Sequence, residues 1–141
     1  MPVSRTTRFA IIVIFVHLVL AGVHGVSHGF LDIILSAPQN FFVLIVIQIA
    51  SLVAAVLLWR GRNRAGGLLL AASMAGALAF GVYFHFVRDT AYNVARVAEN
   101  TRVALAITFQ VTAVLLALIE VLGCYAGILA MRGREAGPHT R

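Results

Sequence analysis

Apolar residues run along this chain in four long blocks separated by short polar breaks. The blocks lie at about 9–35, 41–59, 66–87 and 103–131, and each reaches the roughly 20 residues an α-helix needs to cross ~30 Å of hydrocarbon. A bilayer interior offers no water to backbone N–H and C=O groups, so blocks of this kind are expected as helices. The first break, around Pro38, carries no charge. The second holds Arg60, Arg62 and Arg64. The third runs from Arg88 to Arg102 and mixes three arginines with Asp89 and Glu99. The pattern predicts an all-α integral membrane protein: one four-helix transmembrane bundle, up-down-up-down, in a single domain with short polar tails.

Composition strengthens that reading. Of 141 residues, 61% are hydrophobic and 11% charged, against about 25% charged in a soluble domain. There is too little polar surface here to cover a water-soluble fold, so a soluble enzyme, a disordered tail and a disulfide scaffold are all excluded. The lone Cys124 lies inside the fourth block, where no intrachain disulfide or CxxC pair can form. It reads as a small packing residue.

The net charge of +6 rests on 11 cationic side chains, every one an arginine. They sit between the apolar blocks rather than on one basic face, which points to membrane orientation and not to nucleic acid. Arg5, Arg8, Arg60, Arg62, Arg64, Arg132, Arg134 and Arg141 fall on the side of both termini. Arg88, Arg96 and Arg102 fall on the other. The positive-inside rule then places both termini in the cytoplasm of a multi-pass cell-membrane protein. A cleaved signal peptide is the competing reading of the first block. Its apolar character continues through Leu35, well beyond a 7–15-residue signal core.

Ionisable residues inside a membrane cost roughly 2.5–3.5 kcal/mol each on insertion scales, so each is a functional candidate. The first block holds His17, His24, His28 and Asp32. At ~100° per residue they share one stripe about 80° wide, expected to face the bundle interior. Depths counted at 1.5 Å per residue sort the polar residues into two layers. His17, Gln48, Ser73 and Glu120, one per helix, form an inner layer suited to handling a proton or cation, or to clasping helices. His24, His28 and His85 form an outer layer, with Gln110, Asp32, Asp89 and Arg88 nearby.

The outer histidines suit two chemistries. His24 and His28, four residues apart on one helix face, share a copper or zinc ion with His85, helped by Asp32 or Asp89. Alternatively, His85 and either His24 or His28 ligate a b-type haem, with Arg88 and Arg102 pairing its propionates. Neither has a supporting motif such as HExxH or CxxCH. His139, in the polar tail, reads as solvated.

The remaining features read as structure. Small residues at Ala72-xxx-Gly76 and Ala77-xxx-Gly81, and at Ala113, Ala117 and Gly127, predict close packing of the third and fourth helices, within the chain or against a second copy or membrane partner. Trp59 and Tyr125 read as interfacial anchors in the lipid bilayer. The 88–102 loop is expected to hold a short surface helix, with Asn100 or Thr101 capping the fourth span. No phosphate-binding loop or nucleophile constellation is present. Three function classes remain: a haem- or metal-binding redox protein, a proton- or cation-handling bundle, and a non-catalytic assembly subunit.

Overall fold

A computed structural model describes residues 4–132. Arg134, His139 and Arg141 lie outside the described residues. Among the described residues four helices are long and apolar enough to cross a membrane: α1 Arg5–Phe30, α2 Ala37–Trp59, α3 Asn63–Val87 and α5 Val103–Arg132. A single turn, α4 (Val94–Val97), sits in the long loop. The periodic blocks therefore become helices, as hydropathy predicts, with shifted ends.

The largest shift is at the end of α1, which stops at Phe30. Leu31 N–H bonds to Ser27 O and Ile33 N–H to His28 O, closing the last turn. Asp32 takes the left-handed conformation, φ 57°, a helix-terminating geometry that acidic and amide side chains tolerate better than most. Asp32 therefore leaves the histidine stripe. It is exposed and reaches Arg102 at 3.4 Å, while Arg102 also donates to Phe30 O. The loop beyond it ends at Ser36, whose N–H bonds to Gln39 Oε1 (2.8 Å) to start α2.

Side chains are sorted in the opposite sense to a water-soluble bundle. Phe15, Val19, Leu52, Leu118 and Val121 are exposed, whereas the interior is rich in small and polar residues such as Ala10, Ser51, Ser73 and Thr112. Lipid tails are as apolar as leucine, so close backbone approach and interhelical hydrogen bonds hold such helices together. α5 is the hub, packing on both α1 and α3, and α2 lies against α3. Where α3 meets α5 the backbones touch: a Cβ on Gly67 would fall 2.6 Å from Gly127 O, and one on Gly127 would fall 2.6 Å from Gly67 O.

The small-residue pairs read from the sequence are only partly used this way. Gly127 is in that contact, but Ala72 is exposed and Gly76 faces Val46 and Phe42 of α2. Gly66 and Gly67, small residues of the same block, bring α3 close to its neighbours.

Two stretches wind more widely than an α-helix. Val43–Ile49 of α2 and Tyr83–Val87 of α3 are π-helical, as in Arg88 N–H bonding to Tyr83 O five residues back. In an α-helix each four-residue step drifts about 40° around the axis. The wider turn offsets that drift, keeping His85 on the buried face with Ala77 and Gly81. The second stretch holds one of the three clustered histidines, and π-turns often occur at functional sites.

Candidate metal centre

His24 and His28 project from α1 one turn apart, and His85 reaches them from the π-turn of α3. All three are buried. One ring nitrogen from each lies within 4.8 Å of the others, and His24 Nε2 is 3.2 Å from His85 Nε2. Phe109 of α5, fully buried, closes one side of the cluster with ring centroids 4.5 to 5.3 Å from the three imidazoles. The sequence points to the three histidines. It does not point to Phe109, whose role depends on the rotation of α5 against α1.

The protons can be located from the partners. His85 Nδ1 lies 3.0 Å from Tyr92 O and His28 Nδ1 3.4 Å from Ile33 O. A carbonyl only accepts, so both nitrogens carry the hydrogen. His24 Nδ1 lies 2.8 Å from Thr112 Oγ1. The Thr112 hydroxyl gives its single proton to a backbone carbonyl, Thr108 O at 2.6 Å or Phe109 O at 3.1 Å. It therefore accepts from His24 Nδ1. In the neutral rings all three Nε2 atoms are bare lone pairs, and two of them face each other at 3.2 Å. That arrangement is repulsive unless a proton or a metal ion stands between them. Donation of Nδ1–H to a carbonyl or hydroxyl is also how proteins orient a metal-ligating histidine.

The other residues assigned to this layer go elsewhere. Arg88 is exposed, its guanidinium 5.6 Å from the Phe84 ring centroid. Asp89 forms a two-pronged exposed pair with Arg96 (2.8 and 2.9 Å). That guanidinium holds the Asp89 carboxyl below the usual aspartate range and raises Arg96 in turn. Gln110 Nε2 donates to Val94 O at 2.9 Å, fastening α4 to α5. Charged groups outside the apolar wall keep water or exposed partners, which leaves the triad to neutral side chains.

The inner layer divides. His17 Nε2 is 3.4 Å from Glu120 Oε1, both side chains buried, an ion-pair distance at which neither ring nitrogen of His17 makes a hydrogen bond. Ser73 does not join them. Its hydroxyl lies 2.6 Å from Val46 O and 3.0 Å from Ser51 Oγ, whose own proton reaches Ile47 O at 2.7 Å. These serines staple the π-helical part of α2 to α3. Depth alone placed Ser73 with Glu120, but rotation about α3 turns it to the opposite neighbour. Gln48 lines the same cavity as His17 and Glu120.

That cavity, about 430 Å³, extends from the triad to Glu120 between all four long helices. Gly81 sits at its waist. A Cβ there would lie 3.8 Å from Glu120 Oε2 and 4.0 Å from His85 Cδ2, so about a methyl group's width separates each from that point.

Comparison with family models, curated proteins and solved structures found no match. Fold and site together define a class: a small helical bundle with four apolar spans and a buried trihistidine cluster. Its chemistry must be argued from the cluster itself.

Proposed function

We propose that this chain is a membrane-embedded metal-binding protein in which His24, His28 and His85 ligate one first-row transition-metal ion of the copper–zinc class through Nε2. The observation that carries this reading is the convergence of three buried imidazoles, one ring nitrogen from each within 4.8 Å of the others, whose Nδ1 partners leave Nε2 free to ligate. Metal–imidazole bonds of 2.0–2.1 Å in tetrahedral geometry put neighbouring nitrogens about 3.3 Å apart, close to the 3.2 Å between His24 and His85. A ring nitrogen of His28 lies within 4.8 Å of those of His24 and His85 and moves inward to complete the set. Imidazole suits copper and zinc, and three protein ligands leave a coordination position open. Glu120, the one buried carboxylate among the described residues, supplies a compensating negative charge across the Gly81 gap.

A b-type haem is the lesser reading. Two axial nitrogens on one iron stand about 4 Å apart along a line, at metal–nitrogen distances near 2.0 Å. The His24 and His85 rings touch with centroids 4.9 Å apart and planes inclined by 76°, so they would have to part to admit a porphyrin. The excess of arginine on the terminal side of the bundle favours an outward-facing triad with cytoplasmic termini.

Metal content tests the assignment. Protein purified in detergent, stripped with chelator, reloaded with zinc or copper and dialysed is expected to retain about one ion per chain. His24→Ala, His28→Ala and His85→Ala should abolish retention, while His17→Ala keeps it. Thr112→Val, which removes the acceptor for His24 Nδ1, should weaken affinity by the 10–100-fold typical of outer-shell changes. A wild-type protein that retains no metal, or His85→Ala that retains it fully, contradicts the proposal. A Soret band in the purified protein would turn it toward haem.

A further inference from the structure

We propose that the cavity beside the triad is a binding site for a lipid-soluble quinone or quinol, with its ring over Gly81 and its two ring oxygens directed to opposite ends of the cavity. This goes beyond the metal assignment and does not depend on it. The cavity measures about 430 Å³, inside the 300–1,000 Å³ range of small-molecule sites and far beyond what one ion occupies. Its middle is carved by small residues: Ala21 and Gly25 on α1, Ala77 and Gly81 on α3, and Ala113 and Ala117 on α5. Polar side chains gather at its ends, with the three histidines at one and His17, Gln48 and Glu120 at the other.

An apolar space of this size does not hold water well, because each water needs two to four polar partners. A lipid tail would fill the volume but satisfy neither end. Both ends call for a hydrogen-bonding partner in the metal-free protein: His17 is fully buried with both ring nitrogens unbonded, and the triad presents bare Nε2 atoms. A ring bearing oxygen on opposite edges meets both. At the inner end a quinol hydroxyl donates to Glu120 and a quinone carbonyl accepts from a protonated Glu120 or a His17 N–H. At the triad end a quinol hydroxyl donates to an imidazole Nε2 in the metal-free protein, and with the ion bound the His17–Glu120 end alone holds the ring. Phe80, Phe84 and Tyr92 supply aromatic surface along one wall, suited to offset packing against a flat ring.

The way in also fits a lipid-soluble molecule. α2 packs against α1 through Ala50–Trp59, whereas its earlier part, including Val43–Ile49, lies against α3. Beside that earlier part, Gly25 and Gly29 of α1 face Asn40, Val43 and Ile47 of α2 around the cavity. A Cβ on either glycine would meet nothing within 4 Å. The gap opens sideways between two helices whose outer surfaces are apolar, so a molecule dissolved in the bilayer reaches the site without crossing water.

The test is equilibrium binding of a decyl-substituted 1,4-benzoquinone to the full chain in lipid nanodiscs, with decylbenzene as the control lacking oxygen. Metal content and melting temperature are read on the same samples. Saturable binding of about one quinone per chain is expected, with decylbenzene at least 10-fold weaker. Gly81→Ala adds a methyl at ordinary contact distance and Ala117→Leu fills the cavity from α5. Each should weaken quinone binding by about 10-fold or more while metal content is unchanged. Glu120→Gln, which keeps shape and removes the charge, should weaken the quinol more than the quinone. Non-saturable uptake, decylbenzene binding as tightly as the quinone, or unchanged affinity in both folded cavity variants would overturn the proposal. Wild-type protein that binds the quinone saturably but retains no metal would support this proposal and count against the metal assignment alone.

Discussion

Among individual residues, His17 and Glu120 carry the highest electrostatic stakes. Each is buried where an unpaired charge has no water to turn to, and each is the other's nearest ionisable neighbour at 3.4 Å. Removing one partner of a buried pair is expected to cost roughly 3–5 kcal/mol, because the survivor remains as an uncompensated polar group, whereas replacing both by apolar residues costs less. His17→Leu and Glu120→Leu should therefore each lower unfolding stability in bicelles more than the double variant does. Additive losses would mean the two side chains do not interact. The pairing was legible in the sequence because both residues are polar in apolar blocks and lie at matching depth. The same depth rule misassigned Ser73, since it carries no information about which way a side chain points around its helix. Asp32 was misassigned for a different reason: apolar Ile33, Ile34 and Leu35 prolong the hydropathy signal past the point where backbone geometry ends the helix.

At the level of elements, packing depends on where backbones touch. Gly67→Ala and Gly127→Ala each press a methyl group to within 3 Å of backbone oxygen across the α3–α5 contact. Overpacking of this kind is expected to cost about 1–3 kcal/mol. Gly22→Ala, where a Cβ meets nothing within 4 Å, should be neutral or stabilise by about 0.5–1 kcal/mol through helix propensity. Thermal unfolding of the three variants checks both, and equal effects would contradict the interface described.

The long loop answers to pH instead. Asp89 has its carboxyl pKa lowered by Arg96, so the contact is present above the ordinary aspartate pKa and fades as pH falls through the lower, folded value. Amide exchange in 88–97, corrected for its intrinsic pH dependence, should show constant protection near neutrality and lose it only in acid, below about pH 4. In Arg96→Ala that acid step should disappear. The Asn93 side chain that caps α4 emerges from the structure, whereas a short helix in this loop was legible in the sequence. The π-turns were not, because hydropathy does not distinguish i→i+5 from i→i+4 winding.

For the whole molecule, four apolar blocks, their order and their helical nature follow from hydropathy, because the bilayer requirement admits few alternatives. The histidine cluster followed from a 3.6-residue period plus a depth match. The cavity did not, because it arises where α2 parts from α1 and small residues from three helices coincide. Those features together place a trihistidine cluster at one end of an apolar chamber and a carboxylate–imidazole pair at the other. X-ray absorption at the metal edge of reloaded protein tests the central claim most directly. A trihistidine site predicts three nitrogen scatterers at about 2.0 Å, with the multiple-scattering pattern of imidazole, and loss of that pattern in His85→Ala. A shell of oxygen or sulfur scatterers without imidazole scattering, or a spectrum unchanged by His85→Ala, would contradict it.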